Sequence, residues 1–163
     1  MVGNILYGLW VVSYGNVADP FTVIVANHSA FLLHFVGINA QIAPSTLLPN
    51  VSIILNEQVV VNVYEGCNAI NVSILFVAFI MAYKGKFQKA VTFIVLGLMA
   101  IYVFNLFRVS GLFLVAKYFP QYLYLTHKFI FTGIIYAFVF FLWFLWVHSN
   151  SIKKSPSWKG GSQ

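Results

Sequence analysis

Glu65-Gly66-Cys67-Asn68-Ala69-Ile70-Asn71 separates two kinds of sequence. Before it, Val51, Ile53 and Leu55 alternate with Ser52, Ile54 and Asn56, and Val59, Val61 and Val63 alternate with Val60, Asn62 and Tyr64. That period of two in β-branched residues predicts a small β-hairpin turning at Asn56-Glu57-Gln58. After it come three apolar segments, residues 67–83, 90–119 and 127–147. An open sheet edge cannot face lipid, so the hairpin lies in water or packs on protein. The heptapeptide thus marks where the chain passes from water to lipid, and it carries the one cysteine of 163 residues.

Composition agrees with a membrane setting. Hydrophobic residues make up 61% of the chain and charged residues 7%, far from the roughly quarter charged that soluble domains carry. The net charge of +6 does not signal nucleic acid, because the basic residues form no patch with interleaved aromatics. They flank the apolar segments instead, which is a topology signal. One cysteine excludes an internal disulfide. The length suits one domain, residues 1–150, followed by a polar tail, 151–163.

Upstream, residues 5–14 are apolar but too few to cross a hydrocarbon core. They read as the tail of a longer helix or as a surface segment. No basic region precedes them and no small-residue cleavage site follows, so no signal peptide is expected. Asp19-Pro20 marks a helix start. Residues 20–36 form the predicted helix, its apolar side carrying Phe21, Val25, Phe31, Leu32 and Phe35, and it is expected to lie on the membrane surface. The fold class expected is mainly α: a multi-pass membrane helix bundle. It has about three full spanning helices, a partial first helix, a surface helix and a small extracytoplasmic β-hairpin.

Lys84, Lys86 and Lys89 fill the first gap between apolar segments, and Lys153, Lys154 and Lys159 follow the last. Only Lys117 and Lys128 fall on the other side, so the 84–89 loop and the C-terminus are expected to be cytoplasmic. Asp19, Glu57 and Glu65, the three acids, then all lie outside. The single arginine, Arg108, sits inside an apolar segment, where a charge is costly and suggests function. Counting from Lys89, Arg108 lies about 28 Å up its helix. Cys67 lies about 25 Å from Lys84, and His127 roughly 30 Å from the cytoplasmic end near His148. Cys67, Arg108 and His127 therefore reach one depth, the outer interface, from three segments.

Their chemistry is complementary. A thiol attacks as thiolate, which a nearby imidazole or cation favours. His127 suits proton transfer, and Arg108 suits stabilising a thiolate or an oxyanion. Acyl transfer through a thioester, on a peptide arriving at the outer face, is the reaction class. Each residue also has a plainer reading: Cys67 as a small buried side chain, Arg108 as a snorkelling cation, His127 as an interfacial residue. Glu65 either orients His127 or caps the helix that follows. His28, His34 and His148 show no zinc spacing. A transporter or assembly subunit binding an anionic ligand at Arg108 is the alternative, but a transport path needs polar groups near the midplane and these segments have few.

Glu65-Gly66-Cys67-Asn68 before an apolar helix, Asn105-x-x-Arg108 in the next and His127 opening the last resemble the three signature blocks of the exosortase/archaeosortase family. The Asp19-Pro20-Phe21-Thr22 start is similar to the compact form called exosortase F, and the resemblance covers roughly residues 16–147. It implies a multi-pass bacterial inner-membrane cysteine peptidase with transpeptidase-like activity, facing the periplasm. Its implied partners are membrane lipid and exported proteins whose C-terminal sorting signal comprises a motif, a transmembrane helix and a basic tail. It implies Cys67 as nucleophile, His127 as acid/base, Arg108 as electrostatic stabiliser, and no metal or organic cofactor. Glu65, Asn68 and Asn105 are the further candidates for substrate or orienting roles. The family pattern usually has Gly two residues after the Cys, where this chain has Ala69. The first spanning helix is also nearly absent here, which a truncated start would explain.

Overall fold

Asp19 and Pro20 open the first long helix, α1 (Pro20–Phe35). The structure, a computed structural model, describes residues 7–9, 13, 18–44, 50–83 and 85–151, without the side chains of Glu65, Asn150 and Ser151. Most of the 5–14 stretch, Lys84 and the tail lysines lie outside the described residues. The Asp19 carboxylate accepts from the backbone N–H of Phe21 at 2.9 Å and of Thr22 at 3.1 Å, satisfying donors that have no partner within the helix. The helix ends where Gly37 turns left-handed at φ 79. Gly37 N–H then reaches His34 O at 2.9 Å and Ile38 N–H reaches Leu33 O at 3.1 Å, a Schellman motif.

Of the apolar side expected to lie on the membrane, the phenylalanines face outward and Val25 turns to protein. Thr22, Val25, Ala26, Ser29, Ala30 and Leu33 are buried, while Phe21, Phe31 and Phe35 point outward, Phe35 being 77% exposed. Small side chains let helix backbones approach closely, and in lipid a large apolar side chain gains nothing by turning inward.

The sheet has three antiparallel strands in the order β1-β2-β3: β1 (Gln41–Pro44), β2 (Asn50–Leu55) and β3 (Gln58–Tyr64). The hairpin expected over 51–64 is β2-β3. Its turn is two residues rather than three, Asn56 and Glu57 at φ 51 and 65, with Gln58 already paired to Leu55. Two left-handed residues match the twist of the flanking strands. β1 gives little sequence signal, being four residues that end in proline, which an edge strand tolerates. Ile53 pairs with Val61 and Ile54 with Val59, leaving Val60 as a bulge. Val61 and Val63 are buried, whereas Val59, beyond the bulge, is 56% exposed.

Three further helices complete the bundle: α2 (Ile70–Ala82), α3 (Phe87–Tyr118) and α4 (Phe131–Ser151). Pro120 ends α3, since the residue before proline avoids the helical region, and Phe119 lies at φ −138, ψ 58. A 3-10 turn, a single α turn and a π turn over Thr126–Ile130 lead without a break into α4. Among the described residues two helical runs are long and apolar enough to cross a membrane, the 32 residues Phe87–Tyr118 and the 30 residues Pro120–Ser149. Of the three full spans expected, the first differs: segment 67–83 yields only the 13 residues of α2, about 20 Å of helix against a core of about 30 Å.

α3 is the spine. Its C-terminal half, with Val109, Leu112 and Phe113, packs on α1 and the sheet in one apolar cluster that includes Cys67. Its N-terminal half, with Ala90 and Ile101, packs on α2 and α4 in a second cluster that includes Ala69. Stacked rings tie the helices of this second cluster, Phe104 on Phe138 at 4.5 Å and Phe79 on Trp143 at 4.3 Å between centroids. The closest approach is at Gly97, where an added Cβ meets the Phe76 ring at 2.3 Å. Phe76 is fully buried, so it cannot yield cheaply. Gly97→Val is expected to lower stability by about 1–3 kcal/mol. Thermal unfolding of the detergent-purified protein reads this, and adding Phe76→Leu is expected to restore part of the loss.

Candidate active site

β3 delivers the chain to a 3-10 turn over Glu65–Cys67, and α2 begins three residues later. Two devices shape this corner. Asn68 Oδ1 accepts the Ile70 N–H at 3.0 Å, an Asx-type cap. Ala69 stands at φ 62, ψ 8, a left-handed conformation that costs an L-residue roughly 1–2 kcal/mol and a glycine almost nothing. Ala69 is therefore strained in a conformation that glycine would adopt freely.

The Cys67 side chain is 6% exposed, and its Sγ lies 3.5 Å from Nε2 of His127, sixty residues away. His127 sits within the π turn, where Phe131 N–H reaches back to Thr126 O and the Thr132 hydroxyl donates to His127 O at 3.1 Å. π turns inside helices occur frequently at functional sites. The half-buried Arg108 is within electrostatic reach of the His127 ring. Asn105, one turn below Arg108 and fully buried, donates through Nδ2 to the Cys67 carbonyl at 2.7 Å. Its Oδ1 is buried with no hydrogen-bond partner among the described residues. The Glu65 backbone is in the same turn, and its side chain lies outside the described residues.

A polar network beneath the corner holds what sequence reading missed. Asp19, fully buried, does more than cap α1. Its Oδ2 takes the Thr22 hydroxyl and lies 3.5 Å from Asn68 Nδ2, which also reaches Thr22 Oγ1 at 3.3 Å and the Tyr7 hydroxyl. Asp19-Pro20 was legible as a helix start, but no local pattern says that the same carboxylate meets Asn68, 49 residues on. A second unforeseen pair is His28 Nδ1 with the Tyr102 hydroxyl, between α1 and α3. Among the described residues no group of three His, Cys, Asp or Glu is gathered to hold a metal.

A thiol and an imidazole in contact, with a guanidinium nearby, form a set suited to acyl transfer. A family profile for transmembrane exosortases matches residues 5–156, nearly the whole chain. The chain belongs to the transmembrane exosortase family. Membership places it among membrane-embedded transpeptidases that act on the sorting signals of exported proteins, and its long apolar helices fit that setting. Neither the curated proteins nor the solved structures contain a match to it.

Two stability measurements test this corner. Asp19→Ala removes the cap and the link to Asn68 together and is expected to cost about 1–2 kcal/mol, whereas Asp19→Asn, which still accepts, should retain most of the stability. Ala69→Gly is expected to leave stability unchanged or raise it by up to about 1 kcal/mol, because relief of the left-handed strain offsets the buried methyl. A clear loss of stability in Ala69→Gly would contradict the strain.

Proposed function

We propose that this chain is a membrane cysteine transpeptidase in which Cys67 is the nucleophile, His127 the acid/base and Arg108 the electrostatic stabiliser. The observation that carries the reading is the 3.5 Å contact between Cys67 Sγ and His127 Nε2, made between residues on separate elements inside an apolar bundle. The substrate is an exported protein with a C-terminal sorting signal of motif, transmembrane helix and basic tail. The site faces the exterior, and the Lys86 and Lys89 end of α3 is cytoplasmic.

His127 Nε2 takes the thiol proton as Cys67 Sγ attacks the scissile carbonyl carbon. The negative charge that develops on the carbonyl oxygen is stabilised by Arg108 in surroundings of low dielectric. Collapse of the tetrahedral species breaks the C–N bond, and His127 returns the proton to the departing amine. The remaining acyl group is then a thioester on Cys67. An acceptor amine or hydroxyl, or water, gives a proton to His127 and attacks that thioester, regenerating the thiol. Asn105 and Asn68 serve as positioning residues: Asn105 holds the Cys67 carbonyl and Asn68 shapes the turn after it. Residues 1–150 make one membrane domain, with 151–163 a cytoplasmic tail.

The test is co-expression with an exported protein bearing such a signal, following release of the tail. Cys67→Ala is expected to abolish release. His127→Ala should reduce it by about 10²–10⁴-fold and Arg108→Ala by about 10²–10³-fold, all at wild-type membrane levels. Neutral hydroxylamine should intercept the thioester and leave a hydroxamate at the new C-terminus. Release that survives Cys67→Ala sinks the assignment.

A further inference from the structure

β3 is an edge strand: β2 pairs with one side of it, and among the described residues no strand lies on the other. Beside it runs a groove of about 350 Å³, lined by Val60, Asn62 and Tyr64 of β3, Leu112 of α3, and Tyr124 and His127. Val61 lines it as well, so successive residues of one strand border a single groove. Successive side chains of a strand point to opposite faces, so a groove that meets them all follows the strand's edge. The groove ends at His127, whose Nε2 touches Cys67 Sγ. β3 itself leads within three residues to that thiol.

We propose that the motif of the sorting signal binds as an added fourth strand on the free edge of β3, its scissile carbonyl brought to Cys67 at the Tyr64 end. This deepens the proposed function and rests on it. The occupant is an extended peptide because an unpaired strand edge offers main-chain donors and acceptors at strand spacing. From Val60 to Tyr64 the edge accommodates about four or five residues at about 3.4 Å each. The lining holds no Asp, Glu, Lys or Arg, so the side chain that enters the groove is uncharged, and the volume admits a bulky one. The bulge at Val60 interrupts the regular ladder and bends the strand there, which limits the length of motif that can pair in register.

The probe is a synthetic peptide spanning the cut site of an exported protein that the full chain processes in cells. It is presented to the purified full-length protein in detergent. Methylating the peptide's backbone amides one at a time is expected to lower kcat/KM by about tenfold or more at alternate positions, each methyl removing one donor to β3, and to do little in between. A photoreactive benzoylphenylalanine in place of the exposed Asn62 should cross-link the peptide, and one in place of the exposed Gln41, on the opposite edge of the sheet, should not. Losses without alternation, or cross-linking from position 41 and not 62, would overturn the docking while leaving the reaction intact. If no exported protein is processed at all, the reaction and the docking fall together.

Discussion

The bond from Asn105 Nδ2 to the Cys67 carbonyl is the contact on which the arrangement of this molecule turns. α3 joins two apolar clusters, and the corner between β3 and α2 lies at their junction, with Cys67 in the cluster on the C-terminal half of α3 and Ala69 in the cluster on its N-terminal half. Apolar packing has little directional preference and would hold that corner in many ways. A fully buried amide on α3 that donates to a main-chain carbonyl selects one of them. In an apolar interior the alternative is an unpaired polar group, which is costly. The same bond sets Cys67 one helical turn from Arg108, on the helix that carries both Asn105 and Arg108.

The other polar groups of the interior are used in the same economical way. Asp19 serves the N-terminus of α1 and the Asn68 side chain, and Asn68 serves the start of α2. Two helix ends and the turn that bears Cys67 thus share one network. Where the bundle meets its surroundings the pattern reverses, with small residues of α1 turned toward α3 and the phenylalanines turned outward. The sheet packs at the C-terminal half of α3, buries Val51, Ile53, Val61 and Val63 against the helices, and leaves one edge of β3 beside the groove that ends at His127.

Much of this was legible in the chain because it rests on local chemistry. The β2-β3 pairing follows from alternation in β-branched residues, the start of α1 from Asp19-Pro20, and the long apolar helices from composition. The expectation that Cys67 and His127 meet came from a fixed rise per residue counted from the apolar segment ends, and their side chains are in contact. β1 was not legible, since four residues ending in proline carry no period. Nor was the inward turn of Val25 on α1, which shares its apolar side with phenylalanines that face outward. The π turn at His127 and the short α2 also escaped, because a local change in helix winding or length leaves no mark on an apolar sequence.

By itself, then, the sequence determined the membrane character, the order of a capped helix, a hairpin and then long apolar helices, and the residue types expected to gather at one site. It did so because hydrophobicity, capping and periodicity act between near neighbours. The tertiary structure alone decided that Cys67 Sγ touches His127 Nε2, that Asn105 holds the Cys67 carbonyl and that Asp19 reaches Asn68. Those contacts join residues 38 to 60 positions apart. They depend on how helices rotate and cross, which in lipid is set by side-chain packing and a few buried hydrogen bonds rather than by any pattern within one segment.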